Sequence, residues 1–317
     1  MDLNSLLDHT VDGLTKGSIY ALVALGYTLV YGVLKLINFA HSEVFMVGIW
    51  SVLGVYTALG ITGASGFGAL AVALVLGSVA AVLASAGTAL AIERIAYRPL
   101  RKKNAPALIY LITSIGCSLV LVETFGFVLR QFFGPPFGRA LVSIPTVISY
   151  DTLFTIGDVK ISNIQVIIIV SALVMMIALD QFVNRSRLGR GVRAVAQDPD
   201  TAALMGVNKD RIIMLVFVLG GAMAGVAALL HTLRFGAAKF DIGFLIGVKA
   251  FTAAVLGGIG NLRGALVGGL LLGVAETFSS SLISSNWEDV TAFVVLIIIL
   301  MFRPTGLLGE SLGKARA

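Results

Sequence analysis

Apolar runs punctuated by charged or turn residues recur along the whole chain, at 14–34, 43–60, 67–92, 107–129, 162–183, 211–233, 244–257, 264–283 and 288–302. Most approach the ~20 residues that a helix needs to cross a bilayer. They lack the period-two alternation of barrel strands, so the pattern predicts helices. The run 244–257 is too short to cross alone at a rise of about 1.5 Å per residue. It reads as a half-helix, a re-entrant piece or a tilted span extended at its ends. The expected fold class is an all-α integral membrane protein: a polytopic bundle of about eight to nine transmembrane segments with short loops.

Composition makes the alternative classes untenable. Of 317 residues, 57% are hydrophobic and 13% are charged, against roughly 25% charged in a soluble domain. The mean hydropathy is +0.97. Too little polar surface exists to coat a soluble globule, and disorder needs the opposite bias. A fused soluble enzyme or ATPase domain is not expected, and 1–317 reads as a single transmembrane domain. Cys117 is the one cysteine and cannot form an intrachain disulfide. The start at Met1-Asp2 lacks the basic region of a cleavable leader.

Charge sets the orientation. Arg94, Arg98, Arg101, Lys102 and Lys103 cluster in one loop; Arg185, Arg187, Arg190, Arg193, Lys209 and Arg211 cluster in another. Both are expected in the cytoplasm, two spans apart. A nine-segment count then places the N-terminus outside and the C-terminus inside. Lys35, Arg263, Arg303, Lys314 and Arg316 fall inside too. The net charge of +6 is thereby a topology signal, and no nucleic-acid partner is expected. The stretch 130–161 becomes an external loop, broken at Gly134-Pro135-Pro136 and Pro145. Its alternation at Leu141–Ile148 allows short strands or an interfacial helix.

Within or beside the spans, acidic or imidazole groups are few: His41, Glu43, Glu123, Asp180, His231 and Glu276. Such groups mark function by default. Asp180 has a simpler reading as a partner of Arg185 or Arg187, and His231 as an interfacial residue. Glu123, in mid-span, is the costliest carboxylate to bury. Asn38, His41, Glu43, Glu123, Gly257, Gly258, Gly260, Asn261 and Glu276 are the candidates for lining a translocation path. The run Gly257-Gly258-Ile259-Gly260-Asn261 cannot be stable helix interior; it is either an interhelical turn or a break beside the path. Small-x-x-x-small pairs at Gly221/Gly225, Gly264/Gly268 and Gly269/Gly273 read as close helix contacts. No metal, nucleotide or hydrolase motif occurs, so no cofactor is expected in this chain.

The loop 185–210 carries the sharpest local motif. Asp198 suits an N-cap, Pro199 the first helical position, and Gly206 a C′ cap. A short helix follows, with Ala202, Ala203, Leu204 and Met205 available to a cytoplasmic partner and Arg193 just ahead to meet an acidic edge.

Several stretches carry a family likeness. Thr15–Leu22, Gly26–Gly32 and Ile37–Glu43 resemble the start of the branched-chain amino acid ABC importer permeases of the H type. Glu93–Arg101, Gly189–Asp210 with Arg193-Ala194 and Leu204–Asn208, Val248–Asn261 and Arg303–Gly309 are similar to the same family. Ser42 stands where that family usually has Gly; being small, it should be tolerated. The resemblance implies a bacterial inner-membrane importer with a second related permease, two cytoplasmic ATPases that hold ATP and Mg, and a periplasmic binding protein. It also implies that Asp198–Gly206 is the ATPase-coupling helix. Urea or short-chain amide permeases share part of these signatures, and an ion-coupled secondary transporter is the rival from a different class.

Overall fold

The structure is a computed structural model that describes residues 3–62, 65–134 and 140–309. Met1, Asp2, Pro135, Pro136, Lys314 and Arg316 lie outside these residues. In chain order the helices are α1 (Leu3–Leu34), α2 (His41–Ala58) and α3 (Phe67–Ile92). A π turn (Glu93–Tyr97) leads from α3 into α4 (Arg98–Lys102), followed by α5 (Ala107–Phe133), α6 (Asn163–Arg185), α7 (Arg187–Gln197) and α8 (Pro199–Leu204). Then come α9 (Lys209–Phe235), α10 (Ile242–Gly257), α11 (Leu262–Leu282) and α12 (Glu288–Phe302). Seven helical segments are long and apolar enough to cross a membrane among the described residues. The 16-residue α10 is shorter than a full span.

Helix ends follow local chemistry. α1 begins well before the apolar run does, carrying Asp8 and Asp12 as helical residues. Asp12 accepts a hydrogen bond from Gln165 Nε2 at 2.9 Å, which ties α1 to the start of α6. α6 starts on a capping box: Ser162 accepts from Gln165 N–H, and the Gln165 side chain accepts from Ser162 N–H. Before it, the loop contains a hairpin of β2 (Thr152–Ile156) and β3 (Val159–Ser162) turning at Gly157. The alternating stretch further upstream forms only β1 (Val142–Ser143), antiparallel to β4 (Ala237–Ala238).

The chain gathers into two compact units. One comprises Met1–Leu34, Tyr150–Ile212 and Val248–Ala317; the other comprises Lys35–Ser149 and Ile213–Gly247. The first is organised around α1 and α11. A Cβ placed on Gly273 would stand 2.3 Å from Gly17 N and 2.4 Å from Gly13 O, and one on Gly269 would stand 2.6 Å from Ala21. The two backbones therefore touch directly, which is the close approach that small-x-x-x-small spacing permits. Gly268 meets α10 in the same way, at Ala253 O.

The second unit repeats the device. Gly221 faces Ala89 and Ser85 O, and Gly225 faces Ala81 O, so α9 lies against α3 through its glycines. Gly48 on α2 meets the Ser85 hydroxyl, which donates to Val44 O at 2.9 Å. By contrast, α5, α6 and α12 bury little of their length, and their large exposed apolar side chains are mostly Leu, Ile, Val and Phe. In a chain this apolar, such faces are made for hydrocarbon or another helix rather than water.

These contacts predict opposite outcomes for two glycines. Gly273→Ala thrusts a methyl into immovable backbone and should destabilise by about 1–3 kcal/mol. Gly87→Ala, where a Cβ meets nothing within 4 Å, should be neutral or gain about 0.5–1 kcal/mol of helix propensity. Apparent melting temperatures in detergent decide it; equal values for the two variants would refute backbone contact between α1 and α11.

Candidate functional site

Helix packing in the first unit assembles a buried charge cluster. Lys249, on α10, places Nζ 3.3 Å from Glu276 Oε2, 3.3 Å from Glu288 Oε1 and 2.8 Å from Asp289 Oδ1. Tyr20 on α1 donates its hydroxyl to Glu276 Oε2 at 2.9 Å, and Lys16 Nζ lies 3.1 Å from Glu288 Oε2. Lys249 also stands 5.7 Å from the centre of the Tyr20 ring, a cation–π distance. Glu276 is fully buried, and its Oε1 has no hydrogen-bond partner among the described residues. A buried ion survives in lipid only with partners of this kind.

Glu276 was expected on sequence grounds; Lys249, Tyr20 and Lys16 were not. The signal for Lys249 was present, because it is the one charged residue in the run 244–257. Acidic and imidazole groups alone do not reveal this cluster, because its central counter-charge is a lysine.

In the second unit, Asn38, His41 and Glu43 share the short turn that starts α2, and all three are buried. Asn38 Oδ1 accepts from Ala40 N–H at 3.2 Å, and Asn38 O from His41 N–H at 3.1 Å. Glu43 Oε1 accepts from Ser42 Oγ at 3.2 Å and from Ser118 Oγ of α5 at 3.1 Å. Its Oε2 lies against the first turn of α10, where a Cβ on Gly243 would stand 2.6 Å away. The positive end of that helix thus faces the carboxylate. Ser42 fits where a glycine was expected because its neighbours are glycines: a Cβ on Gly247 would come within 2.2 Å of Ser42 Cβ.

Two expectations are corrected. Glu123 is exposed on α5 rather than buried, so no burial cost attaches to it within the chain. Asp180 pairs not with Arg185 or Arg187 but with Arg263 at 3.0 Å, and accepts from Asn184 at 3.1 Å. Arg185, five residues on, lies off the face of Asp180, and Arg187 lies beyond the end of α6 at Ser186, whereas Arg263 in the first turn of α11 reaches it. His231, in the last turns of α9, is buried within the chain, with its ring 5.5 Å from Phe45 and 4.5 Å from Phe235.

Gly257, Gly258, Gly260 and Asn261 form the turn between α10 and α11, and a late segment of the chain packs on it. Leu307 and Leu308 donate their N–H groups to Leu256 O and Gly257 O at 2.8 and 2.9 Å. Asn261 caps α11 through Gly264 N–H and donates Nδ2 to Leu308 O at 2.7 Å. Gly258 has φ +107°, and a Cβ there would stand 2.3 Å from Gly309 N. The glycines serve a turn with a strap laid across it. The structure does not bring them together with Glu276, whose partners are all in the charge cluster.

The loop helix is built as its residues foretell. Asp198 accepts from the N–H groups of Asp200 and Thr201, each at 3.0 Å, and from the Thr201 hydroxyl at 2.5 Å. The Thr201 hydroxyl, then the backbone donors, hold its carboxyl below the ordinary value. Its cap is therefore complete at neutral pH and is lost as pH falls through that depressed value. At the other end, Gly206 takes φ +85°, with Gly206 N–H to Ala203 O and Val207 N–H to Ala202 O both at 3.0 Å, a Schellman cap. Ala202 is only 4% exposed, while Leu204 and Met205 are 88% and 80% exposed. Ala202 thus seats the helix on its own chain, and the free surface belongs to Leu204 and Met205. Arg193 does not reach forward: it donates to Val183 O and to Asn184 Oδ1, closing the end of α6. Ala194 is half-buried on α7.

With this geometry in hand, the comparisons are direct. Residues 9–300 match the family described as branched-chain amino acid transport system / permease component. A high-affinity branched-chain amino acid transport system permease protein, BraD of Pseudomonas aeruginosa, is 43% identical over 96% of both chains. The corresponding LivH of Escherichia coli (strain K12) is 41% identical over 96% of both. A fructose import permease, FrcC of Rhizobium meliloti, is 34% identical over 33% of this chain and 31% of its own. The chain belongs to the branched-chain amino acid transport permease family, and it is a multi-pass membrane protein.

Two substitutions test the cluster and the cap. Lys249→Met strands Glu276 in apolar surroundings and should cost about 3–5 kcal/mol; adding Glu276→Gln should recover part of that. No recovery in the double variant, measured by thermal unfolding, would show that the pair is not energetically coupled. Asp198→Ala should destabilise α8 locally at neutral pH by removing its N-cap, read as faster amide exchange confined to α8.

Proposed function

We propose that this chain is a translocation subunit of an ATP-driven importer that moves leucine, isoleucine and valine into the cytoplasm. The observation that carries the reading is a family match over residues 9–300 coupled to a capped helix with two large apolar side chains turned outward. A second, related permease, two cytoplasmic ATPases and an external binding protein complete the assembly, with ATP and Mg held by the ATPases. In this reading the chain acts as one permease domain of nine segments in the bacterial inner membrane, with its N-terminus outside and C-terminus inside. Residues 130–161 face outward and 185–210 face the cytoplasm.

The substrate's chemistry supports an uncharged route. The side chains of leucine, isoleucine and valine are apolar and gain nothing from a charged lining. The turn around Asn38, His41 and Glu43 offers polar atoms for a zwitterionic head. Glu123, exposed on α5, has no part in such a route.

Coupling follows from α8. A helix that transmits motion must be stiff, and one only two turns long is stiff only when both ends are capped. Leu204 and Met205 supply the apolar surface that fills a groove on an ATPase, while Ala202 is buried against its own chain. Leu204→Asp with Met205→Asp should leave insertion and permease pairing intact and should abolish ATP-driven leucine uptake in reconstituted vesicles. Wild-type uptake and stimulated ATPase activity in that variant would sink the coupling assignment, and uptake without ATPases would sink the importer reading. For topology, cysteines at Ser143 and Ser285 in a Cys117-free background should label from outside, and one at Thr201 only after permeabilisation. The reverse pattern would overturn the orientation.

A further inference from the structure

Along α3, the π turn and α5, the second unit carries an open apolar groove of about 450 Å³. Thr88, Ala91 and Ile95 line one wall, and Thr113, Gly116 and Val120 line the other. Small residues make the hollow: a Cβ on Gly116 would meet nothing within 4 Å. The residues around it expose Ile112, Ile115 and Leu119, as hydrocarbon-facing helices do.

One end of the groove is basic. Arg94 sits in the π turn between the lining residues Ile92 and Ile95 and is exposed. Lys102 and Lys103 follow at the end of α4, where the chain turns towards α5, and are exposed too. The neighbouring Arg98 and Arg101 are instead committed to the buried Glu93, at 3.3 and 2.9 Å. Glu93 therefore ties down two cations and leaves three others on the surface, Arg94 within the segment that forms one wall and Lys102 and Lys103 in the stretch that joins the two walls and so closes one end of the trough. Hydrocarbon along the trough and negative charge at its end is the shape of one anionic phospholipid, and basic pockets between membrane helices recognise such headgroups.

We propose that this groove is a binding site for an anionic phospholipid, with an acyl chain between the π turn and α5 and the phosphate at Arg94, Lys102 and Lys103. Ion pairing sets the headgroup preference, and the trough sets the position. The proposal needs only that the chain spans a membrane, so it stands apart from the choice of transported substrate.

The test uses the purified full chain with its permease partner, and native mass spectrometry to count retained lipid after titration with phosphatidylglycerol or phosphatidylcholine. Phosphatidylglycerol should bind at least tenfold more tightly. Arg94→Gln with Lys102→Gln and Lys103→Gln should erase that preference, since each basic group contributes on the order of fivefold. Gly116→Trp, which fills the trough without meeting other atoms at its Cβ, should reduce retention of both lipids and leave the thermal midpoint unchanged. Equal binding of the two lipids to the unaltered protein would overturn the proposal. So would an undiminished preference in the triple variant. Loss of permease pairing in Gly116→Trp, with lipid retention unchanged, would assign the groove to a partner helix instead.

Discussion

Direct backbone contact between α1 and α11 is the constraint on which the first unit depends. Gly13, Gly17, Gly269 and Gly273 leave nothing between the two helices, so their side chains further along must meet at fixed distance. That is how Tyr20 comes to hold Glu276, and how Lys249 finds its carboxylates. In lipid, apolar side chains gain little from meeting one another. Close van der Waals contact and buried polar pairs then carry what hydrophobic burial carries in water. The glycines and the charge cluster are two parts of one solution: the first permits the approach, and the second makes a wrong register expensive.

The second unit uses the same means with different chemistry. Its glycines seat α9 on α3, and its buried carboxylates are met by hydroxyls or by arginines. Glu43 relies on Ser42, Ser118 and a helix N-terminus; Glu93 relies on Arg98 and Arg101. A neutral donor set leaves the Glu43 carboxylate with no ion-pair partner among the described residues. An arginine clamp suits a carboxylate whose task is to hold a π turn in place.

Much of this was legible in the chain. Span positions follow from apolar run length, because lipid permits few alternatives to a helix. The loop helix was readable end to end, since an Asp-Pro start and a Gly stop act through local backbone chemistry that does not depend on distant contacts. Small-residue pairs announced close contacts without naming the helices involved. What failed was tertiary. Glu123 and Glu43 look alike in sequence, and only packing decides which is buried. Asp180 had arginines nearby in the chain, but its partner came from α11. Ala202 looked available because nothing in a six-residue helix reveals which face is already occupied. The glycine-rich turn read equally well as a break or a seat until Leu307 and Leu308 were found on it.

The strap across that turn has a consequence for how the protein is made. Leu256 and Gly257 end α10 with carbonyls that no helical turn satisfies, and their donors reside at Leu307 and Leu308. Those donors leave the ribosome after every helix described here has been synthesised. The α10–α11 corner therefore completes its backbone pairing only once translation has passed some fifty residues beyond it. A nascent chain halted before Leu307 lacks both donors, so the first unit closes from its far end.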